Sequence, residues 1–330
     1  MIAYVLRRLI QSMLVMLTVA FVAFSLFSFV GDPVANMAGE DASQRDRDQL
    51  RRDLGLADPF PLRFVRFVGG VLQGEFGFSY RNLQPVARLI VDRLPATVEL
   101  AVSATALALL VGVPMGVYCG LNRSSALAQA IQAVSLVGIS LPTFVTGILL
   151  ILTFSVGLGW LPPFGRGDTV RIGWWQTGLL SVSGIKSLLL PSVTLAMFQM
   201  ALVMRLVRSE MMEVLRKDFI KFARARGLTS RAVNFGHALR NTLVPVITIT
   251  GLQFGSAVAF AIVTETVFQW PGLGLLFVQA VAYVDIPVMA TYLVLISFFF
   301  VVINLVVDLL YYAIDPRLRD GGPGGTGKGR

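Results

Sequence analysis

The chain has 330 residues, of which 55% are hydrophobic and only 14% charged, and its mean hydropathy is +0.73. A soluble domain carries about 25% charged residues, so this composition excludes a water-soluble fold. The net charge of +9 does not indicate a nucleic-acid partner, because the basic residues lie between long apolar runs. A single cysteine and a single histidine exclude an internal disulfide and the usual zinc sites. The composition predicts an integral membrane protein.

Six segments are apolar over about 20 residues, the length that a helix needs to cross a hydrocarbon core about 30 Å thick. They predict an all-α membrane protein with six transmembrane helices. Prolines inside them are compatible with spanning helices, because neighbouring helices and hydroxyl groups satisfy the freed backbone. The first segment is too long for a signal-peptide core and is predicted to be retained. The predicted spans are 9–30, 97–119, 131–156, 188–207, 243–263 and 288–312.

The distribution of Lys and Arg predicts that both termini face the cytoplasm (N-in/C-in). Segments 1–8, 120–130, 208–242 and 313–330 hold most of these residues, and the short loop 264–287 holds none. The organisation predicted is an N-terminal helix (1–30), an extracytoplasmic loop region (31–95), a helical core (96–312) and a disordered cytoplasmic tail (313–330). Within the loop, the apolar-basic stretch 61–68 favours short helices lying at the outer membrane surface, with a partly disordered loop as the alternative.

Two carboxylates, Glu99 and Asp308, fall within the predicted spans and are functional candidates for that reason. At 1.5 Å per residue they lie only about 3 Å and about 6 Å inside the helix ends. Coupling-ion sites usually lie near the midplane, so these positions favour capping or pairing with a neighbouring helix end. The glycine series Gly112-x3-Gly116-x3-Gly120 and Gly251-x3-Gly255 predict close helix packing and carry no chemistry.

The sequence contains no convincing nucleotide-binding or catalytic motif. Gly322-x4-Gly327-Lys328 has Walker A spacing, but Gly329 replaces the Ser or Thr and no strand precedes the loop. His237 lies in a predicted loop, and the sequence contains no Gly-x-Ser-x-Gly elbow or His-Glu-x-x-His pair. We therefore expect no catalytic residue, no cofactor and no metal site in this chain.

Segment 208–242, the longest predicted cytoplasmic loop, carries the most information. It predicts two short amphipathic helices hinged at Gly227-Leu-Thr-Ser230, with Gly227 ending the first and Thr229 or Ser230 capping the second. Attraction of its basic residues to anionic headgroups explains the charge. It does not explain the small residues Ala223-x-Ala225-x-Gly227 or the break between the helices.

Phe219-Ile-Lys-Phe-Ala-Arg-Ala-Arg-Gly-Leu228, followed by His237-Ala-Leu-Arg-Asn241, resembles the EAA loop of binding-protein-dependent ABC importer permeases of the dipeptide/oligopeptide/nickel branch. The general motif has Glu-Ala-Ala where this chain has Lys221-Phe222-Ala223, so no glutamate contact is carried over. Four further stretches agree with the branch in order and spacing: 74–79, 93–100, 265–274 and 308–317. The resemblance covers about residues 1–319.

The resemblance implies a type I ABC importer transmembrane fold in the bacterial inner membrane. It implies a second homologous permease subunit, two ATPase subunits that hold ATP and Mg, and an extracytoplasmic solute-binding protein. The coupling segment that contacts an ATPase would comprise Phe219, Ala223, Arg224, Ala225, Arg226, Gly227 and Leu228. Arginine forks suit carboxylates of such a partner.

The expected cargo is small peptides, with nickel, glutathione, opines or sugars as alternatives in the same branch. An ATP-independent channel or carrier, or an intramembrane enzyme or scaffold, would lack the ATPase partner. Polar residues that could face a translocation pathway are Ser140, Thr143, Gln199, Gln253 and Asn304. The same residue types also hold helices together, so both roles stay open.

Overall fold

The computed structural model describes residues 2–29, 34, 43–53 and 55–314, which are predominantly α-helical. The predicted disordered tail lies almost wholly outside these residues, as does the side chain of Asp308. Two π-helical segments, Ile151–Gly157 and Ala232–Ala238, interrupt the α-helices. The α-helices are α1 (Ile2–Phe29), α2 (Gln44–Asp53), α3 (Phe60–Gln73), α4 (Val86–Leu121), α5 (Ala126–Ser140), α6 (Thr143–Leu150), α7 (Val182–Val214), α8 (Asp218–Ala225), α9 (Leu239–Val267), α10 (Leu273–Ala282) and α11 (Ile286–Ile314), and an antiparallel hairpin is formed by β1 (Val170–Ile172) and β2 (Trp175–Thr177).

Within the part of the chain that the structure describes, four helical stretches are long and apolar enough to cross a membrane. They are Val86–Leu121, Val182–Val214, Ala232–Val267 and Ile286–Val307. A fifth crossing results if α5 and the helical stretch that ends at Gly157 form one broken span. An all-α protein with several membrane crossings is confirmed. The count of six and the N-in/C-in orientation stay predictions.

One predicted span was wrong in its form. Segment 131–156 is not one helix, because α5 ends at Ser140 and α6 begins at Thr143. Pro142 lacks an N–H to continue α5, and its carbonyl instead accepts a hydrogen bond from Thr146 N–H at 3.1 Å in the new helix. Pro191 lies inside α7, so a proline alone does not locate a break.

Helices also extend beyond the apolar segments that predicted them. The segment 97–119 lies inside a helix that begins at Val86, and the segment 188–207 lies inside one that runs to Val214. Apolar length measures the part of a helix that fits the hydrocarbon layer, whereas the helix itself continues until a cap or breaker ends it.

The short helices predicted in the loop region are present as α2 and α3. α3 packs an aromatic face against α1: the Phe64 ring lies 5.3 Å from Phe21, and the Phe67 ring stacks on Phe24 at 5.2 Å. It ends at Gly74, whose φ of +78° favours glycine. A groove of about 590 Å³ lies beside this helix and is lined partly by Arg63, Glu75 and Tyr80. The position of α3 relative to a membrane stays a prediction.

The chain divides into two compact units: one of residues 1–100, 147–191 and 258–301, and one of 101–146, 192–257 and 302–330. The first unit has a core that includes Val86, Leu276 and Met289. The core of the second includes Val207 and Ile220. Several long helices contribute residues to both units.

The close helix packing predicted from glycines is confirmed inside the second unit. A Cβ built on Gly116 of α4 would lie 2.6 Å from Met204 O and 2.6 Å from Val207 Cβ of α7. A Cβ added to Gly251 of α9 would instead overlap the Val307 side chain of α11. The absence of a side chain at Gly116 therefore lets the backbones of α4 and α7 come into direct contact.

Candidate functional site

The segment singled out by sequence folds into a short helix with a defined start and end. In α8, Lys221 Nζ lies 2.8 Å from the Asp218 carboxylate, and this bond and charge lower the pKa of Asp218. At the other end, Gly227 N–H donates to Arg224 O and Leu228 N–H donates to Ala223 O. These two bonds form a Schellman motif, which requires the positive φ of +80° that Gly227 adopts. The predicted role of Gly227 in ending the helix is confirmed.

The hinge and the next helix follow directly. Ala232 N–H donates to Thr229 Oγ1 at 3.3 Å, so Thr229 rather than Ser230 is the N-cap. The prediction of a separate second short helix is wrong, because the chain passes through the π-helical segment Ala232–Ala238 directly into α9. A span and its preceding amphipathic turn therefore form one continuous helical body.

One face of α8 is anchored in the core of the second unit. Ile220 is fully buried and Ala223 is 7% exposed, and both pack with Val214 and Val233. This corrects the expected position of Ala223: its small side chain serves packing inside this chain and is not free for a partner. Ile220 and Ala223 are three residues apart, so they share a helix face. The segment is thus fixed to the ends of the long helices.

The exposed surface of α8 and of the turn that follows it is apolar and basic, and we call it the coupling face. Phe222 is 64% exposed, and Arg226 lies over its ring at 5.7 Å. Exposed aromatic side chains beside arginines are typical of protein contact surfaces. The coupling face consists of Phe219, Phe222, Arg224, Ala225, Arg226, Gly227 and Leu228, all exposed.

The five residues proposed for a pathway do not share one environment. Gln199 is buried, and its side-chain oxygen accepts a hydrogen bond from Thr105 of α4 at 3.2 Å. This hydrogen bond joins α4 to α7, which is one of the two roles that the sequence left open for Gln199. Ser140 is exposed and donates to Leu136 O at 2.9 Å within its own helix. Thr143, Gln253 and Asn304 are half-buried. The role of these five residues in a pathway stays a prediction.

Sequence reasoning missed a buried polar network in the first unit. Thr97 Oγ1 donates to Glu265 Oε1 at 2.6 Å and accepts from Leu273 N–H at 2.8 Å. The second Glu265 oxygen accepts from Leu275 N–H at 3.0 Å. Trp270 Nε1–H donates to Ala96 O at 2.9 Å. The stretches 93–100 and 265–274, noted only as matching motifs, are therefore partners in space.

Glu99 also has a specific partner, although not the helix end that its position suggested. Arg166, in the loop before the β-hairpin, bonds the Glu99 carboxylate at 2.6 Å, and both side chains are buried. The Arg166 guanidinium lies 5.8 Å from the centre of the Trp270 ring. The expectation that Glu99 is paired is confirmed, but its partner is an arginine in a loop and not a helix end. The carboxylate near the end of a span was a sequence signal for a partner, but it did not identify Arg166.

A third contact fixes the loop after α3. Ser79 Oγ and Tyr80 N–H both donate to the Asp285 carboxylate, in the turn before α11. Burial, together with the nearby Asp285, raises the pKa of Tyr80 to about 12, although Arg63 opposes the shift. Arg81 lies over the Tyr283 ring at 3.6 Å. The motif stretch 74–79 is thus attached to the start of the last long helix.

These features define a multi-pass α-helical membrane protein in which a short anchored helix exposes an apolar and basic surface. Two family models match the chain. One, described as "Binding-protein-dependent transport system inner membrane component", matches residues 112–320, and its N-terminal companion matches residues 1–101. The chain belongs to this family, as its motifs predicted.

Relatives match over nearly the whole length. The oligopeptide transport system permease protein AppB of Bacillus subtilis (strain 168) is 38% identical over 318 residues, covering 96% of this chain and 99% of that protein. The di/tripeptide transport system permease protein DppB of Pseudomonas aeruginosa (strain UCBPP-PA14) is 36% identical over 334 residues, covering 97% and 99%.

A solved structure of the MetNI methionine ABC transporter, in an inward-facing conformation, shares the fold. Its TM-score is 0.56 at 19% sequence identity, covering 69% of this chain and 96% of that one. The fold is that of a type I ABC importer transmembrane subunit. The chain is accordingly a permease subunit, and ATP hydrolysis belongs to separate subunits of such importers.

Proposed function

We propose that this chain forms half of the translocation pathway of an ATP-driven importer for small peptides in the bacterial inner membrane. A second homologous permease would supply the other half, and an extracytoplasmic binding protein would deliver the solute. The names of the relatives, which are oligopeptide and di/tripeptide permeases, support the peptide class. ATP and Mg would bind to two partner ATPase subunits.

The observation that carries the proposal is the coupling face on an anchored helix. Because Ile220 and Ala223 fix α8 to the core, a force applied to the coupling face reaches the long helices instead of bending a loose loop. Phe219, Phe222 and Leu228 offer apolar area, and Arg224 and Arg226 offer charge-assisted hydrogen bonds to a partner. ATP-driven closure of the ATPase pair would move this helix and switch the bundle between two states, as a rigid-body transition.

The experiment measures uptake in cells from which the gene has been deleted, with and without a plasmid that expresses the chain. Labelled di-, tri- and pentapeptides are compared with nickel and glutathione. We expect peptide uptake to be lost without the chain, restored by it and not restored by Phe222→Asp. Loss of nickel or glutathione uptake with unchanged peptide uptake would contradict the peptide class.

A matched control separates docking from general damage. Phe78 lies outside α8, and its exposed fraction of 63% nearly equals the 64% of Phe222. Phe78→Asp should therefore leave the amount of ATPase that co-purifies with the chain unchanged, whereas Phe222→Asp should reduce it at least tenfold. Equal recovery of ATPase in both variants would overturn the assignment of the coupling face.

A further inference from the structure

We propose that the β1–β2 hairpin anchors the protein in the lipid headgroup layer at the membrane surface where α7 begins, with Trp174 as the main contact. Several apolar side chains of this region are exposed, although Leu161 and Trp175 are partly buried. This hairpin surface consists of Trp160, Phe164, Val170, Ile172 and Trp174, each at least 42% exposed. The inference depends on the membrane class of the protein and not on its substrate.

The hairpin is attached firmly to the first turn of α7. Asp168 N–H donates to Ser183 Oγ at 2.9 Å, and Ser183 Oγ donates back to the Asp168 carboxylate at 2.6 Å. Ser181 Oγ donates to Asp168 O. On its other side, the Arg166–Glu99 pair holds the loop to α4. The depth of the hairpin in a membrane is therefore set by the depth of this helix start.

That depth follows from the length of α7. The apolar part of the helix begins near residue 188, six residues after Val182. At 1.5 Å per residue, Val182 lies about 9 Å outside the hydrocarbon edge. The headgroup layer on each side of a bilayer is about 5–8 Å thick. Val182 therefore lies just beyond this layer, whereas Ser183, which is bonded to Asp168, lies about 7.5 Å from the hydrocarbon edge. The hairpin that follows Asp168 is consequently held at the outer part of the headgroup layer.

The chemistry of the surface fits that layer. Tryptophan is enriched at membrane interfaces, because its ring is apolar and its N–H seeks water or headgroups. Val182, Ile185 and Leu189 are exposed at spacings of three and four residues, so the apolar surface continues from the hairpin region along α7. Arg171 and Lys186 are exposed, so basic side chains stand at this boundary. Basic groups there attract anionic headgroups.

The first test places the full chain in lipid nanodiscs made with phosphatidylcholine brominated at defined acyl carbons. Trp160, Trp174 and Trp175 are replaced by Phe, and Trp174 is then restored alone. Trp270 is fully buried and stays in both variants as the internal control. We expect bromine nearest the headgroup to quench the added Trp174 fluorescence at least twofold more than bromine deep in the chain. Absence of quenching at every depth would overturn the proposal.

The second test identifies the neighbour of Trp174 in the assembled transporter. The photo-crosslinking residue p-benzoylphenylalanine replaces Trp174 in one variant and the half-buried Trp175 in the matched control. We expect lipid adducts at position 174, detected by mass spectrometry, and at least fivefold fewer at position 175. Cross-linking of position 174 to the second permease or to a binding protein, without lipid adducts, would contradict a lipid contact.

Discussion

Thr97 and Glu265 are joined by a 2.6 Å hydrogen bond between side chains that lie 168 residues apart in sequence. The same Thr97 hydroxyl accepts from the backbone of Leu273, so it connects α4, α9 and α10. Glu265 is fully buried, and its two oxygens accept from Thr97 and from Leu275 N–H. A buried carboxylate is tolerated only when its oxygens are satisfied in this way.

Thr97→Val should lower the free energy of unfolding by about 1–3 kcal/mol, because it leaves Leu273 N–H and a Glu265 oxygen without their partner. Valine keeps the shape of the side chain, so packing changes little. Thr97→Ser retains the hydroxyl and is the control, with a smaller loss expected. Denaturant unfolding in detergent measures both. Equal stability of Thr97→Val and the parent would refute the network as a stabilising feature.

Arg166→Met should be more damaging, because it leaves the buried Glu99 carboxylate uncompensated. Removing one member of a buried ion pair typically costs about 3–5 kcal/mol. The double variant Arg166→Met with Glu99→Leu removes both charges and should recover most of that loss. The unfolding free energies of the two single variants and the double variant form the measurement. A double variant as unstable as the sum of the singles would show that the two side chains are not coupled.

The sequence predicted the membrane class, many of the helices, the C-terminal end of α8 and the cap of the helix that follows it, and it could not predict the buried network. Apolar length and cap residues such as Gly227 and Thr229 are local signals, so they appear in the sequence next to the structure that they produce. The Thr97–Glu265 and Glu99–Arg166 contacts join distant segments, and no local pattern encodes which segments meet. Ala223 was misplaced because a small residue looks the same whether it faces a partner or its own core.

Gly116→Ala should disrupt the contact between α4 and α7. The added methyl group would lie 2.6 Å from Met204 O, and backbone at that distance has to move. Gly236→Ala is the matched control, because that helical glycine has open space around it. It should be neutral or stabilising by up to about 1 kcal/mol. Apparent melting temperatures compare the two. A Gly116→Ala variant as stable as the control would contradict the close packing.

Gly227→Glu should leave membrane insertion intact and uncouple ATP hydrolysis from uptake, because a long acidic side chain on the coupling face opposes docking. Gly227 has a φ of +80°, so any side chain there also strains the helix end. Gly227→Asn is the control, since asparagine tolerates this conformation. We expect ATP hydrolysed per solute transported to rise at least fivefold in the glutamate variant only. Similar coupling in both variants would place the ATPase contact elsewhere.

Stability should fall in a specific pH window through Tyr80. Its pKa is raised to about 12, whereas an unfolded tyrosine ionises near 10. As pH rises from 10 to 12, the unfolded chain loses this proton first, so the folded state loses relative stability. Tyr80→Phe removes this contribution and keeps the ring. The difference in unfolding free energy between parent and Tyr80→Phe should shrink across that window, and a constant difference would refute the assignment.

The most direct measurement purifies this chain, tagged, from gentle detergent and identifies by mass spectrometry what remains bound. If the chain is a permease subunit of such an importer, a second homologous membrane subunit and one or two ATPase subunits should co-purify with it. The same preparation, reconstituted in vesicles, should transport solute only with ATP. Recovery of the chain alone, as a homo-oligomer that passes solute without ATP, would contradict the account.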